Sequence, residues 1–129
     1  GYEIGPPSRT DSAIAAGVAA LIEDGSAIQV GLGKVPDALF GLLHDRRNLR
    51  LHSGMLADSA LDLAEAGALD QTFRHVSCVW VGSADLYRRL RGRPGFDVAS
   101  CDRTHDIRQI AALDRFVAVN SALSVDLFG

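Results

Sequence analysis

The sequence has little cysteine, no long apolar run and no strong charge of one sign. Cys78 and Cys101 are the only cysteines, and neither lies at the spacing of a zinc site, so we expect buried free thiols, no disulfide framework and no metal centre. No apolar run reaches the roughly 20 residues of a membrane span, and the start lacks the pattern of a signal peptide. The net charge of −3 gives no reason to expect a nucleic acid or an anionic membrane as partner. We therefore expect a cytoplasmic protein.

The composition is that of a globular protein. Hydrophobic residues make up 47% of the 129 residues and charged residues 22%, which is enough apolar surface for a core in a chain of this size. The proline-containing stretch 1–9 is interpreted as a linker or arm, and 10–129 as one domain. Because the chain begins at Gly1 and stops directly after a strand-like segment, we expect a fragment of a two-domain protein.

Hydrophobic periodicity alternates between the two kinds of secondary structure along the chain. Four apolar residues of the first helix share one face, and 76–81 is nearly all apolar, so we expect this strand near the centre of a sheet. The segment 115–119 is expected to be a buried strand. In 123–127 apolar and polar residues alternate, as in a strand with one solvent-exposed face. The predicted helices are 10–24, a short one from 36, 58–66, 84–90 and 106–113, and the predicted strands are 27–32, 49–52, 76–81, 96–99, 115–119 and 123–127. This order predicts an α/β fold with an open, mostly parallel sheet and helices on both faces.

A glycine-containing turn joins the first strand to the second helix. Gly31, Leu32, Gly33 and Lys34 lie where backbone N–H groups and a helix dipole can hold a phosphate or an oxyanion. A tight turn that simply requires glycine explains the same residues. Pro36 replaces the third glycine of a dinucleotide fingerprint, and no acid near residue 53 could hold a ribose, so NAD binding is not expected.

Two histidines lie at predicted ends of elements. His52 is expected at the carboxyl edge of the sheet, where ligands of such folds bind, although a lone histidine there can equally be structural. Ser53 lacks the G-x-S-x-G setting of a hydrolase nucleophile. Thr104 is expected to cap the helix that begins at Asp106, which would turn His105 toward a cleft.

Four arginines cluster after one predicted helix, and the sequence leaves their role open. They are either solvated cations at the C-terminal end of the helix or a grip for the phosphates of a nucleotide-like ligand. The cluster consists of Arg88, Arg89, Arg91 and Arg93.

Four segments in order resemble the C-terminal domain of the acetyl-CoA hydrolase/transferase family, which includes 4-hydroxybutyrate and succinyl-CoA:acetate CoA-transferases. The segments are IQVGLGKVPDA at 28–38, LHSGM at 51–55, VGS at 81–83 with Leu86 and Tyr87, and VNSALSVDLFG at 119–129. The resemblance covers roughly 10–129. It implies a NagB-like CoA-transferase fold of two α/β domains, with acyl-CoA in the cleft between them, so that the N-terminal domain of the same protein is a partner. It also implies a coenzyme A thioester as substrate, no covalently bound cofactor, and possible homo-oligomers.

The chain departs from the family pattern at two positions of the site. In the family a glutamate follows the His-Ser or His-Thr pair, attacks the thioester and carries the covalent intermediate. That position is Gly54 here, and a second polar position, usually asparagine, is His105. The resemblance places the loop from Gly31 to Lys34 at the CoA-binding or oxyanion site.

These substitutions leave three hypotheses. The first is an acyl-CoA hydrolase or CoA-transferase-like domain that acts on short-chain acyl-CoA thioesters, with His52 or His105 activating water and with no activity in the isolated fragment. The second is a non-catalytic CoA-binding or assembly domain of the same fold. A sugar-phosphate sensor or isomerase is the third and weakest hypothesis.

Overall fold

A computed structural model of the protein describes residues 5–122 and 124–128, and within these ranges the chain forms six helices and five strands. The helices are α1 (Arg9–Ala19), α2 (Lys34–Leu42), α3 (Asp58–Glu65), α4 (Ala84–Leu90), α5 (Cys101–Thr104) and α6 (Ile107–Ala111). The strands are β1 (Ala27–Val30), β2 (Arg50–Leu56), β3 (His75–Trp80), β4 (Phe96–Val98) and β5 (Phe116–Val119). No described helix has the length and apolar character needed to cross a bilayer.

All five strands run parallel in one sheet, in the order β4-β3-β2-β1-β5. The chain steps from β1 to β4 in one direction, and α1 to α4 pack side by side on one face. It then returns across the sheet to place β5 beside β1, and α5 packs against β2 and β3 on the way. Because parallel crossovers are right-handed, the return connection covers the opposite face. The predicted α/β fold with helices on both faces is confirmed.

The core lies between the sheet and the layer formed by α1 to α4. Fully buried apolar side chains from the helices, such as Leu39, Phe40 and Leu61, pack against Ile28 and Leu51 of the strands. Burying each such side chain stabilises the fold by roughly 1.5–3 kcal/mol. Among the described residues, the opposite face carries only the short α5 and α6, and Gly54 and Cys78 beneath them are half-buried.

Helix starts follow their capping residues. The Ser8 Oγ accepts the Asp11 N–H at 3.1 Å, and the Asp11 carboxylate accepts the Ser8 N–H at 2.7 Å, so α1 begins within the predicted arm. It ends at Ala19, five residues before the predicted end, because the chain tightens into short turns ahead of Gly25, whose φ is +76°. The predicted cap of α4 is confirmed, since the Ser83 Oγ accepts the Leu86 N–H at 3.1 Å.

Two expectations for the strands and one for a cap are wrong. The segment 115–119 was expected to be buried, but β5 is an edge strand that pairs with β1 alone and is largely half-exposed. The segment 76–81 lies near the centre of the sheet as expected, since β3 pairs with β2, the middle strand, on one side and with β4 on the other. In 123–127, Leu123 lies outside the described residues, and 124–127 forms no strand, since none of the described strands pairs with it. Thr104 ends α5, a helix that the sequence did not predict, and the Asp106 side chain caps α6 instead.

Candidate functional site

The histidine-serine-glycine segment lies inside a strand, which corrects its expected position. β2 continues to Leu56 because its pairing with β3 extends from His52↔Val76 to Leu56↔Trp80. The side chains of this segment therefore project from the sheet toward its two faces, whereas we expected them beyond its carboxyl edge. The candidate site is thus partly built on the face of the sheet that α5 covers.

His52 connects the middle strand to α5. Its side chain is buried, with 5% of the residue exposed, and Nε2 lies 3.0 Å from the Thr104 carbonyl oxygen. Because a carbonyl oxygen only accepts, Nε2 must carry the hydrogen and donate it. This bond holds the last residue of α5, and with it the neighbouring His105, against β2.

His105 lies directly over Gly54. A Cβ atom built on Gly54 would lie 3.0 Å from Cε1 and 3.2 Å from Nε2 of the His105 ring, which is closer than nearly all such contacts in proteins. The other ring nitrogen, Nδ1, lies 2.9 Å from the Thr104 Oγ1 and 3.2 Å from the Cys101 carbonyl oxygen. The imidazole therefore occupies the space that a side chain at position 54 would need, with Nε2 on that side.

The two cysteines lie beside this pair of residues and not in the core. Cys78 is half-buried and Cys101 is exposed, so the expectation of buried thiols is wrong, and their Sγ atoms are only 2.9 Å apart. The hydrogen bond between the thiols raises the pKa of Cys78, and desolvation adds to the shift. The register of β2 and β3 places Cys78 next to Gly54. Within the described ranges, no cluster of three His, Cys, Asp or Glu side chains could hold a metal ion.

The glycine loop presents backbone donors at the start of α2. Gly31 uses its N–H in a 3.3 Å bond to the Val119 carbonyl, so this group belongs to the sheet. Gly33 is the N-cap, has a φ of +138° and offers no side chain to the helix end. The first turn of a helix leaves its N–H groups without helical acceptors, so the amides of Lys34 and Val35 can hold an anion or a developing oxyanion.

A groove of about 330 Å³ joins the glycine loop to the chain segment that follows β5. Ile14 and Val18 of α1 form its apolar wall, while Asn120 and Ser121 provide polar groups. The amide groups of Asn120 and Gln29 hold each other through hydrogen bonds of 3.2 and 3.3 Å. Two of the segments that carry the resemblance, 28–38 and 119–129, thus meet in one groove. His52 lines a different pocket, of about 310 Å³, on the side of α5 and α6.

One structural carboxylate was missed by sequence reasoning. Asp58, the first residue of α3, accepts the Ser83 N–H at 3.0 Å and the Ser83 Oγ–H at 2.6 Å. A Cβ at Gly82 would overlap the Asp58 Oδ2. This clamp ties the end of β2 to the end of β3, and the Gly-Ser pair after an apolar strand was the signal that could have indicated it.

Two arginines of the cluster form ion pairs with carboxylates of α3. Arg89 contacts Asp62 at 2.6 Å and Glu65 at 3.0 Å, and Arg93 contacts Glu65 at 3.2 Å. The hydrogen bond from Arg89 lowers the pKa of Glu65. These pairs tie α4 to α3, which favours the structural interpretation of the cluster over a phosphate grip.

Comparison with known proteins agrees with the resemblance. The family model described as acetyl-CoA hydrolase/transferase C-terminal domain matches residues 82–129. The chain is 33% identical to 4-hydroxybutyrate coenzyme A transferase of Clostridium kluyveri, covering 98% of this chain and 32% of that protein. It is 29% identical to butyryl-CoA:acetate CoA-transferase of Anaerostipes caccae, covering 97% of this chain and 30% of that protein.

The structural comparison points the same way. A crystal structure of 4-hydroxybutyrate CoA-transferase from Porphyromonas gingivalis superposes with a TM-score of 0.88 at 27% identity, covering 96% of this chain and 34% of the other. The chain thus spans about a third of the length of these relatives. In sequence and in fold, the chain belongs to the acetyl-CoA hydrolase/transferase family.

Proposed function

We propose that this chain is the C-terminal domain of a larger protein that acts on short-chain acyl-CoA thioesters, as a hydrolase or CoA-transferase-like enzyme whose reaction uses His105 and not residue 54. The relatives are named as CoA-transferases, which supports a coenzyme A thioester as substrate. One observation carries the proposal: the His105 ring fills the space above Gly54, within 3.0 Å of where a Cβ would be.

With glycine at position 54, the covalent mechanism of the family lacks its nucleophile. Aligned with the family glutamate through the LHSGM segment, Gly54 has no carboxylate to attack the thioester carbonyl and form an anhydride. A glutamate restored at this position would have to displace His105, because even its first side-chain atom would crowd the imidazole. The two positions therefore act as a matched pair in this chain.

His105 has the geometry of a general base. Its Nδ1 lies 3.2 Å from the Cys101 carbonyl oxygen, and a hydrogen donated there leaves a lone pair on Nε2. Imidazole is an effective base near neutral pH. In direct hydrolysis Nε2 takes a proton from water as the water oxygen bonds to the thioester carbon. The C–S bond then breaks, and the CoA sulfur leaves with the proton that Nε2 returns.

Two other groups support this step. His52 is a positioning residue, since its bond to the Thr104 carbonyl holds the end of α5 and thereby the neighbouring His105. The N–H groups of Lys34 and Val35 are candidates for the oxyanion site, together with those of Leu32 and Gly33, whereas the Gly31 N–H is already bonded to β5. The N-terminal domain of the parent protein would supply the other wall of the cleft.

The alternative is a domain that binds CoA or assists assembly without catalysis. The missing side chain at Gly54 favours this alternative, because it removes the family nucleophile. The groove beside Asn120 and the amides of the glycine loop, which could still bind a ligand, are retained. The two functions differ in one observable: the alternative predicts binding of acyl-CoA without release of free CoA.

The experiment measures release of free CoA by the full-length protein from a panel of short-chain acyl-CoAs. A His105→Ala variant is compared with His44→Ala, which removes an exposed histidine at the end of α2. We expect His105→Ala to lower kcat by about 10²- to 10⁴-fold, the usual contribution of a general base, and His44→Ala to leave it unchanged. Unchanged turnover in His105→Ala would remove the role of His105, and calorimetric binding without turnover in the unaltered protein would favour the alternative.

A further inference from the structure

The two thiols are arranged as a disulfide site. Cys78 belongs to β3 and Cys101 begins α5, and their sulfur atoms lie 2.9 Å apart across the face of the sheet. A disulfide has an S–S distance of about 2.05 Å, so the sulfurs need to approach by less than about 1 Å. We expect side-chain rotation and a small shift of the one-turn α5 to close this gap.

The two thiols differ in their access to solvent. Cys101 is exposed to solvent, whereas Cys78 is half-buried in the strand. Hydrogen bonding to Cys101 raises the pKa of Cys78, which disfavours the thiolate form of Cys78. An oxidant therefore meets Cys101 first, and Cys78 is already in place as the resolving thiol.

We propose that Cys78 and Cys101 form a reversible disulfide that fastens α5 to β3 and thereby fixes His105 over Gly54. With hydrogen peroxide as the oxidant, the Cys101 sulfur attacks one peroxide oxygen and becomes a sulfenic acid while the other oxygen leaves as water. The Cys78 sulfur then attacks the sulfenic sulfur, a second water leaves, and each thiol has given up one hydrogen. A dithiol reductant reverses the reaction by thiol-disulfide exchange.

The position of Cys101 gives the disulfide its effect on the site. The Cys101 carbonyl oxygen accepts the His105 N–H at 2.9 Å and lies 3.2 Å from Nδ1 of the same residue. A covalent bond at the start of this single helical turn therefore restrains the residue at its end. In the oxidised protein the disulfide restrains the arrangement in which the imidazole covers Gly54. In the reduced protein the hydrogen bonds of His52 and Thr104 restrain it instead.

The test follows the cross-link in the full-length protein and needs no turnover, so it stands or falls independently of the proposed function. The native protein is treated with a stoichiometric amount of hydrogen peroxide, alkylated, digested with trypsin and analysed by mass spectrometry. We expect peptides 75–88 and 92–103 to appear joined, with the loss of two hydrogen atoms, and to separate after dithiothreitol. Cys78→Ser and Cys101→Ser variants serve as controls, and each should abolish the joined peptide.

A second readout tests the restraint on α5. Hydrogen exchange at the His105 amide should be slower in the oxidised protein by about tenfold or more, because opening α5 then requires distortion of a covalent loop. Absence of the joined peptide, oxidation of Cys101 alone to sulfinic acid, or pairing of either thiol with another cysteine would overturn the disulfide. Equal exchange in the oxidised and reduced proteins would overturn the restraint.

Discussion

His75 should make the stability of this domain depend on pH between about 4 and 6.5. The ring is buried between β2 and β3, where Nδ1 accepts the Leu51 N–H at 3.1 Å and Nε2 lies 3.1 Å from the Asp70 carbonyl oxygen. Nδ1 accepts, so Nε2 carries the only ring hydrogen. A second proton on Nδ1 would face the Leu51 N–H, and burial, opposed in part by Asp70, lowers the pKa of His75 from 6.5 to about 4.

The size of the effect follows from linkage. Between about pH 6.5 and 4 the unfolded chain binds a proton at His75 and the folded domain does not, so acid favours unfolding in this interval. The full difference, at 1.36 kcal/mol for each pH unit, is about 3 kcal/mol, and about 2 kcal/mol of it is lost by pH 5. The stabilisation is complete above pH 6.5 and declines as the pH falls.

Urea unfolding at a series of pH values measures this effect. Trp80, the single tryptophan of the chain, is buried against Phe96 and reports unfolding by fluorescence. A His75→Gln variant keeps a hydrogen-bonding side chain that does not titrate. We expect the unfolding free energy of the original chain to fall by about 2 kcal/mol more than that of the variant between pH 7.5 and 5. Parallel pH dependence of the two proteins would refute the reasoning.

Two further substitutions test contacts that shape the site. Gly82→Ala should destabilise the fold by about 2–4 kcal/mol in urea unfolding, because the new Cβ overlaps the Asp58 carboxylate. As a control, Gly41→Ala, in open space on α2, should be neutral or stabilise by up to about 1 kcal/mol. Equal unfolding midpoints for the two variants would contradict the clamp. Ser53→Ala should cost about 1–3 kcal/mol in the same assay because it leaves the buried Val30 N–H, 3.3 Å from the Ser53 Oγ, without its acceptor, and an unchanged midpoint would contradict this role.

The layout of the fold was predictable because it depends on local patterns. Alternating periods of apolar residues indicated parallel strands and crossover helices, and Ser83 indicated the start of α4. The extent of β2 was missed because polar and glycine residues normally mark the end of a strand. Here the Ser53 hydroxyl bonds to the backbone of β1, and the Ser77 hydroxyl donates to the Val79 carbonyl, so both polar groups are satisfied inside the sheet.

The contacts of the site were not predictable from spacing. α5 has four residues, too few for a periodic pattern, yet it begins with Cys101 and is followed directly by His105. Its position over β2 and β3 depends on the return path of the chain across the sheet. The contact of His105 with Gly54 and that of Cys101 with Cys78 therefore arise only from the tertiary fold, and the sequence indicated only that positions 54 and 105 both depart from the family pattern.

The partition of products by the full-length protein tests the central claim most directly. The protein is incubated with a short-chain acyl-CoA other than acetyl-CoA and an excess of acetate, and free CoA and newly formed acetyl-CoA are quantified together. If His105 activates water and Gly54 has no side chain to carry an intermediate, free CoA should accumulate at a rate independent of acetate, and no acetyl-CoA should form. Formation of acetyl-CoA in step with loss of the starting thioester, accompanied by an acyl or CoA adduct on a carboxylate, would contradict it.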